Sequence, residues 1–217
     1  MQYIEFLIHF ILHLDIYLAQ FFHHYGNFAY AILFLIIFCE TGLVVTPFLP
    51  GDSLLFATGA LAASQPQSVH IDVIISVLIC AAILGDSCNY WIGRNLGHVL
   101  FKNPDSKIFR RQYLERAHAF YEKYGPKTIF LARFLPILRT FAPFVAGMAV
   151  MRYLRFLTFS ISGSVAWIGI ITLAGYWFGQ VPLIKNNFSF VIFAIIVISL
   201  LPAFLEFART IKKRKSS

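Results

Sequence analysis

Residues 133–147 read RFLPILRTFAPFVAG, and two arginines and two prolines inside so apolar a run decide how the chain is read. In the middle of a membrane helix each such charge costs roughly 2.5–3.5 kcal/mol. Packing of apolar surface does not account for Arg133 and Arg139. An earlier stretch, residues 40–52, ETGLVVTPFLPGD, sets the same problem with opposite sign, because it carries Glu40 and Asp52 together with Pro47 and Pro50. The two stretches are expected to form one site.

The surrounding composition gives the class. Of 217 residues 59% are hydrophobic and 13% charged, and the mean hydropathy is +0.72. Soluble domains hold about 45–50% apolar residues, so the chain is a polytopic membrane protein. Its net charge of +8 does not indicate nucleic acid, because the basic residues gather beside apolar spans, where they set orientation and meet anionic lipid. Cys39, Cys80 and Cys88 lie in apolar segments without metal-ligand spacing and are expected to be small buried hydrophobes. No metal site and no cofactor are expected.

Outward from the charged stretches, residues 1–27 form an N-terminal amphipathic helix. Glu5, His9, His13 and Gln20 recur near helical spacing and Asp15 adds a polar position, a wet stripe on an interfacial or steeply tilted helix. The segment lacks the basic start and small-residue cleavage site of a signal peptide. His23 and His24 beside Gly26 mark a wet helix end.

Residues 28–63 are mostly apolar over 36 positions, whereas about 20 helical residues cross a bilayer. Pro47 and Pro50 each lack a backbone donor and Gly51 permits a sharp turn, so the run breaks near residues 46–51. A span over 28–45 then leaves 46–63, two arms of about nine residues that reach only to the midplane. This predicts a re-entrant hairpin. Residues 64–70 form a loop and 73–92 a span, in which Asp86, Gly85, Asn89, Tyr90 and Gly93 share a small polar face. That face either packs helices through small residues or supplies a secondary partner for the central arginines.

Between Arg94 and Lys127 eight basic residues stand against three acidic ones, which places this amphipathic segment in the cytoplasm. Residues 128–151 are flanked by basic residues at both ends and therefore enter and leave on one side. Pro136 and Pro143 break the helix there, and Gly147 allows tight return packing. Spans over 156–178 and 190–206 follow, and the basic tail 207–217 lies inside. The expected fold is an all-α polytopic membrane protein, with two inverted re-entrant hairpins, 46–63 and 128–151, among about four transmembrane helices.

Hairpin followed by span occurs twice. Phe48-Leu49-Pro50 echoes Phe134-Leu135-Pro136, and Trp91-Ile92-Gly93 echoes Trp167-Ile168-Gly169. An inverted repeat with interrupted helices is the pattern of transporters that bind at the midplane.

Taken together, Glu40-Thr-Gly-Leu, Pro47-Phe-Leu-Pro50-Gly51-Asp52-Ser53, Gly85-Asp86 with Tyr90 and Gly93-Arg94, and Arg133-Phe-x-Pro136-x-x-Arg139-Thr140-x-x-Pro143 with Ala146-Gly147 resemble the DedA family. These are bacterial inner-membrane proteins that share the VTT domain of eukaryotic lipid scramblases. The resemblance covers nearly the whole chain, the N-terminal helix and the C-terminal tail being its least diagnostic parts. It implies translocation of a lipid, undecaprenyl phosphate or phosphatidylethanolamine, dependent on the proton motive force, with the essential charges on Glu40, Asp52, Arg133 and Arg139 and with Asp86, Tyr90, Arg94 and Thr140 in support.

The chemistry of the residues agrees. A guanidinium offers a fork of donors that matches phosphate oxygens, and two of them balance a monoester carrying about −1.5 to −2 charges. Without lipid, Glu40 and Asp52 would pair with the arginines; a phosphate would displace them, and the released carboxylates could take up protons. The alternative is that the same four charges form a permanent network that only locks the hairpins together. A proton-coupled exporter or cation antiporter is the alternative transporter. A polyprenyl-phosphate phosphatase would need a nucleophile or metal, and no such residues accompany the arginines, so no enzyme is expected. The partners implied are membrane lipids and protons, with no nucleic acid; a homodimer is compatible with the sequence.

Overall fold

The structure, a computed structural model, describes residues 14–43, 51–100, 125–185 and 187–197. All regular elements among them are helices: α1 (Leu14–Tyr25), α2 (Phe28–Gly42), α3 (Gly51–Ser64), α4 (Ile71–Leu100), α5 (Lys127–Ala132), α6 (Pro136–Met148), α7 (Tyr153–Phe178), α8 (Pro182–Lys185) and α9 (Phe188–Val197). The turn with Pro47 and Pro50, Glu5, His9 and His13, most of the 94–127 segment and the basic tail lie outside the described residues.

Local chemistry sets the helix ends. Gly26, at φ +52°, adopts the left-handed conformation that only glycine takes cheaply, and its N–H donates to Phe22 O at 2.9 Å, closing α1. Leu135 is extended, as the residue before a proline must be, and Pro136 then opens α6 at a position where its missing N–H costs nothing. The expected break therefore occurs at residues 133–135. Pro143, expected to break the helix again, does not: α6 runs through it. A proline inside a helix deprives one carbonyl four residues earlier of its donor, and α6 tolerates that loss. Val150, at φ 54°, ends α6 in the left-handed region without being glycine, while the N–H of Met151 reaches back to Ala146 O at 3.1 Å.

Among the described residues two helices, Ile71–Leu96 within α4 and Tyr153–Phe178, are long and apolar enough to cross a membrane, each over 26 residues. Their pattern of burial is that of a protein in lipid. On α7, Leu154, Val165, Ile170 and Trp177 are exposed, while Ser160, Ser164 and Thr172 are fully buried. A soluble protein would invert this order. Cys80 on α4 is exposed and Cys39 and Cys88 are half-buried, so the expectation of buried cysteines fails; an apolar solvent removes the reason to bury them.

The described residues fall into two compact units, one from within 1–34, 48–78 and 168–217, the other from within 35–47 and 79–167. In the first, α3 is a single helix of 14 residues, buried from Ser53 to Ala62, rather than two arms of nine. It packs on α1 and on the last turns of α7. A Cβ at Gly59 would run into the backbone of Thr172, and one at Gly175 into that of Phe56. The two helices thus touch backbone to backbone.

The second unit repeats this clasp. A Cβ at Gly147 on α6 would run into the backbone of Tyr90 on α4, and one at Gly93 into that of Phe144. In each unit a short helix offers its glycine three residues after the clasped backbone, and so does the long helix: 56 and 59 with 172 and 175, 144 and 147 with 90 and 93. The same packing pattern thus occurs in both units. Each short helix clasps the long helix of the other repeat, α3 on α7 and α6 on α4. The Trp-Ile-Gly echo is not part of it: nothing approaches Gly169 within 4 Å, and Gly175 holds the place equivalent to Gly93.

Candidate functional site

In the second unit the charges converge. Glu40 comes from the last turn of α2, Asp86 from α4, Arg133 from the end of α5 and Arg139 from the first turn of α6. All four are buried, at 0%, 2%, 3% and 5% exposure, and the numbers matter because unpaired charges so buried would not be tolerated. They pair. Arg139 Nη2 donates to Glu40 Oε1, and Arg133 Nη2 donates to Asp86 Oδ2.

The sequence places Asp86 in the polar face of α4 as a secondary partner of the arginines. The structure gives it direct contact with Arg133. Asp52 lies in the first turn of α3, half-buried, in the other unit.

Close helix approach makes the pairing possible. A Cβ at Gly85 would strike Thr41 Oγ1, so α2 and α4 meet where Gly85 has no side chain. That brings the segments bearing Glu40 and Asp86 together. Asn89, one turn beyond Asp86 on the same helix, donates to Thr41 O at 3.0 Å and to Thr140 O at 2.7 Å, tying α2 and α6 to α4. Thr140 contributes its backbone carbonyl to this link.

Two residues of α7 complete the group, and sequence reasoning missed both roles. Ser160 donates to Asp86 Oδ2 at 2.6 Å and accepts from Arg133 Nη2 at 3.4 Å. Trp167 lies beneath both guanidiniums, with Cζ of Arg139 4.6 Å and Cζ of Arg133 5.7 Å from its ring centroid. Gly163 on the same helix gives room to the Arg133 stem, since a Cβ there would sit 3.3 Å from its Cγ. The signal was the row Ser160, Gly163, Ser164, Trp167, a polar and small-residue stripe at helical spacing in an apolar span.

Tyr90 and Arg94 support the fold around this group rather than the charges themselves. The Tyr90 hydroxyl donates to Met151 O and accepts from Arg94 Nη1 at 3.0 Å, and its ring stacks on Phe156 at 4.7 Å. They hold the chain where it leaves α6.

Two paired carboxylates and two guanidiniums leave a nearly neutral buried quartet. Its pairs have capacity to spare: Arg133 Nε and Nη1 have no hydrogen-bond partner among the described residues. An arrangement of this kind can receive an anion with several acceptor oxygens.

Residues 49–177 match the family model of the VTT domain. Over 209 residues the chain is 54% identical to Protein DedA of Escherichia coli K12, covering 96% of this chain and 95% of that one. The chain belongs to the DedA family. It is also 48% identical over 195 residues to the uncharacterized membrane protein Rv0364 of Mycobacterium tuberculosis, covering 88% and 86% of the two chains. To the inner membrane protein YqjA of Escherichia coli K12 it is 34% identical over 153 residues, covering 70% and 69%. No solved structure matches. The stretch that matches the VTT model holds Asp86, Arg133, Arg139, Ser160 and Trp167, and Glu40 precedes it by nine residues. This DedA-family chain is a membrane protein, as its relatives' names and its own burial pattern agree.

Proposed function

We propose that this DedA-family protein translocates phosphate-headgroup lipids across the bacterial inner membrane, undecaprenyl phosphate or phosphatidylethanolamine being the cargo, without making or breaking a covalent bond. Residues 128–151 form a re-entrant hairpin entered from the cytoplasm, and the C-terminus is cytoplasmic. α5 and α6, a short helix and a longer one that pack on each other across the break at 133–135, support this reading.

The single observation that carries the proposal is the buried guanidinium of Arg133 with Nε and Nη1 unanswered. A buried donor without an acceptor costs about 1–3 kcal/mol, more when charged, and a phosphate oxygen recovers that cost. Phosphate would therefore be received beside Asp86, and protonation of the carboxylates as they yield to the headgroup would couple movement to the proton gradient.

The test is reconstitution in liposomes with labelled polyprenyl phosphate or phosphatidylethanolamine on one leaflet, with and without a pH gradient. Movement of one lipid faster than in an Arg133→Ala control is expected. Equal rates in the two for both lipids would sink the proposal.

A further inference from the structure

We propose that Trp167 sets the spacing of the two guanidiniums and so makes the site prefer a doubly charged phosphate monoester to a singly charged diester. The inference rests on the phosphate-lipid reading and adds a selectivity to it.

Arg133 and Arg139 both lie within the roughly 6 Å reach of a cation–π contact, and they share one ring. Trp167 is 1% exposed, so the ring acts in a water-poor setting where such contacts are strongest. Each carboxylate holds one arginine, Glu40 on α2 Arg139 and Asp86 on α4 Arg133, and neither pair spans both cations, which repel each other. Trp167, on a third helix, touches both.

The manner of contact matters as much as the attraction. A ring binds a guanidinium through its flat face and occupies none of its N–H groups, which point out along the edges. On Arg133 the edge donors Nε and Nη1 are without partners among the described residues, so the ring holds the cation while leaving it able to bind oxygen. Two cations kept together match the charge of about −1.5 to −2 on a monoester. Without the ring each arginine follows its own carboxylate, and the site becomes two separate single charges. A diester, with one charge, would lose little.

Trp167 is thus a positioning residue, and its signature is a changed preference rather than a lost fold. The full-length protein in detergent would be titrated calorimetrically with a short-chain isoprenyl monophosphate and with its methyl diester, using wild type, Trp167→Phe and Trp167→Leu, each checked for cooperative thermal unfolding. Wild type is expected to bind the monoester about tenfold more tightly, and the Phe variant, which keeps a ring face, to stay within about threefold of it. The Leu variant should lose the preference, weakening the monoester by about tenfold more than the diester. Should that variant not fold, Trp167→Met serves the same purpose. A folded Leu or Met variant that keeps the preference, or that weakens both esters equally, overturns this proposal alone. A wild type that binds neither ester overturns the phosphate reading and this proposal with it.

Discussion

Arg133 donates to Asp86 from 47 residues further along the chain, and the pair is sealed from solvent with Ser160 as its third member. Such a pair is a demand for specificity more than a source of stability. At an effective dielectric of 20 the two charges attract by about 4 kcal/mol at 4 Å, comparable with what it costs to insert one of them.

Breaking the pair should therefore hurt more than deleting it. Asp86→Ala strands Arg133 and is expected to destabilise the protein by about 3–5 kcal/mol. Asp86→Leu combined with Arg133→Met should recover most of that loss. Chemical unfolding in detergent measures both, and equal stabilities of the single and double variants would contradict the pairing.

Ser160→Ala removes the hydroxyl that donates to Asp86 at 2.6 Å. A hydrogen bond to a charged group contributes about 1.5–3 kcal/mol, so the melting temperature should fall measurably. Lipid movement should slow but persist, since both arginines keep a carboxylate.

Arg139→Lys keeps the positive charge but replaces the planar fork with a point donor. Translocation of a phosphate lipid is expected to fall by about tenfold or more. Retained transport in the liposome assay would favour a cation antiporter, for which the carboxylates are the site.

The glycine clasps make a comparative prediction. Gly59→Ala, Gly175→Ala, Gly93→Ala and Gly147→Ala each push a methyl into backbone and should each cost about 1–3 kcal/mol. Gly169→Ala, with nothing within 4 Å, should be neutral or stabilising by up to about 1 kcal/mol. Thermal stability of the five variants checks the proposed equivalence of the two units.

Proton coupling is tested by Glu40→Gln, Asp52→Asn and Asp86→Asn, none of which can exchange a proton at the altered position. With Glu40 and Asp52 both replaced, the pH gradient should no longer change the rate of lipid movement. Unchanged gradient dependence in that double variant and in Asp86→Asn would remove these carboxylates from the coupling step.

Much of this protein was legible in the residues themselves. The length of the apolar runs required membrane helices, Pro136 required a break before α6, and charges inside apolar sequence singled out Glu40, Asp52, Arg133 and Arg139, with Asp86 in support, of which all but Asp52 meet in one buried group. These are local properties, set by backbone sterics and by the cost of a charge in hydrocarbon. Helical spacing also put Asp86, Asn89 and Tyr90 on one face of α4, but a spacing names a face and not the helix that meets it. Tertiary packing therefore decided that Arg133 pairs with Asp86, that Gly93 and Gly147 clasp α4 to α6, and that Pro143 stays within a helix. It also brought Trp167 under two arginines. Glycines without side chains set how closely the backbones approach, and that approach chose which buried charge found which partner.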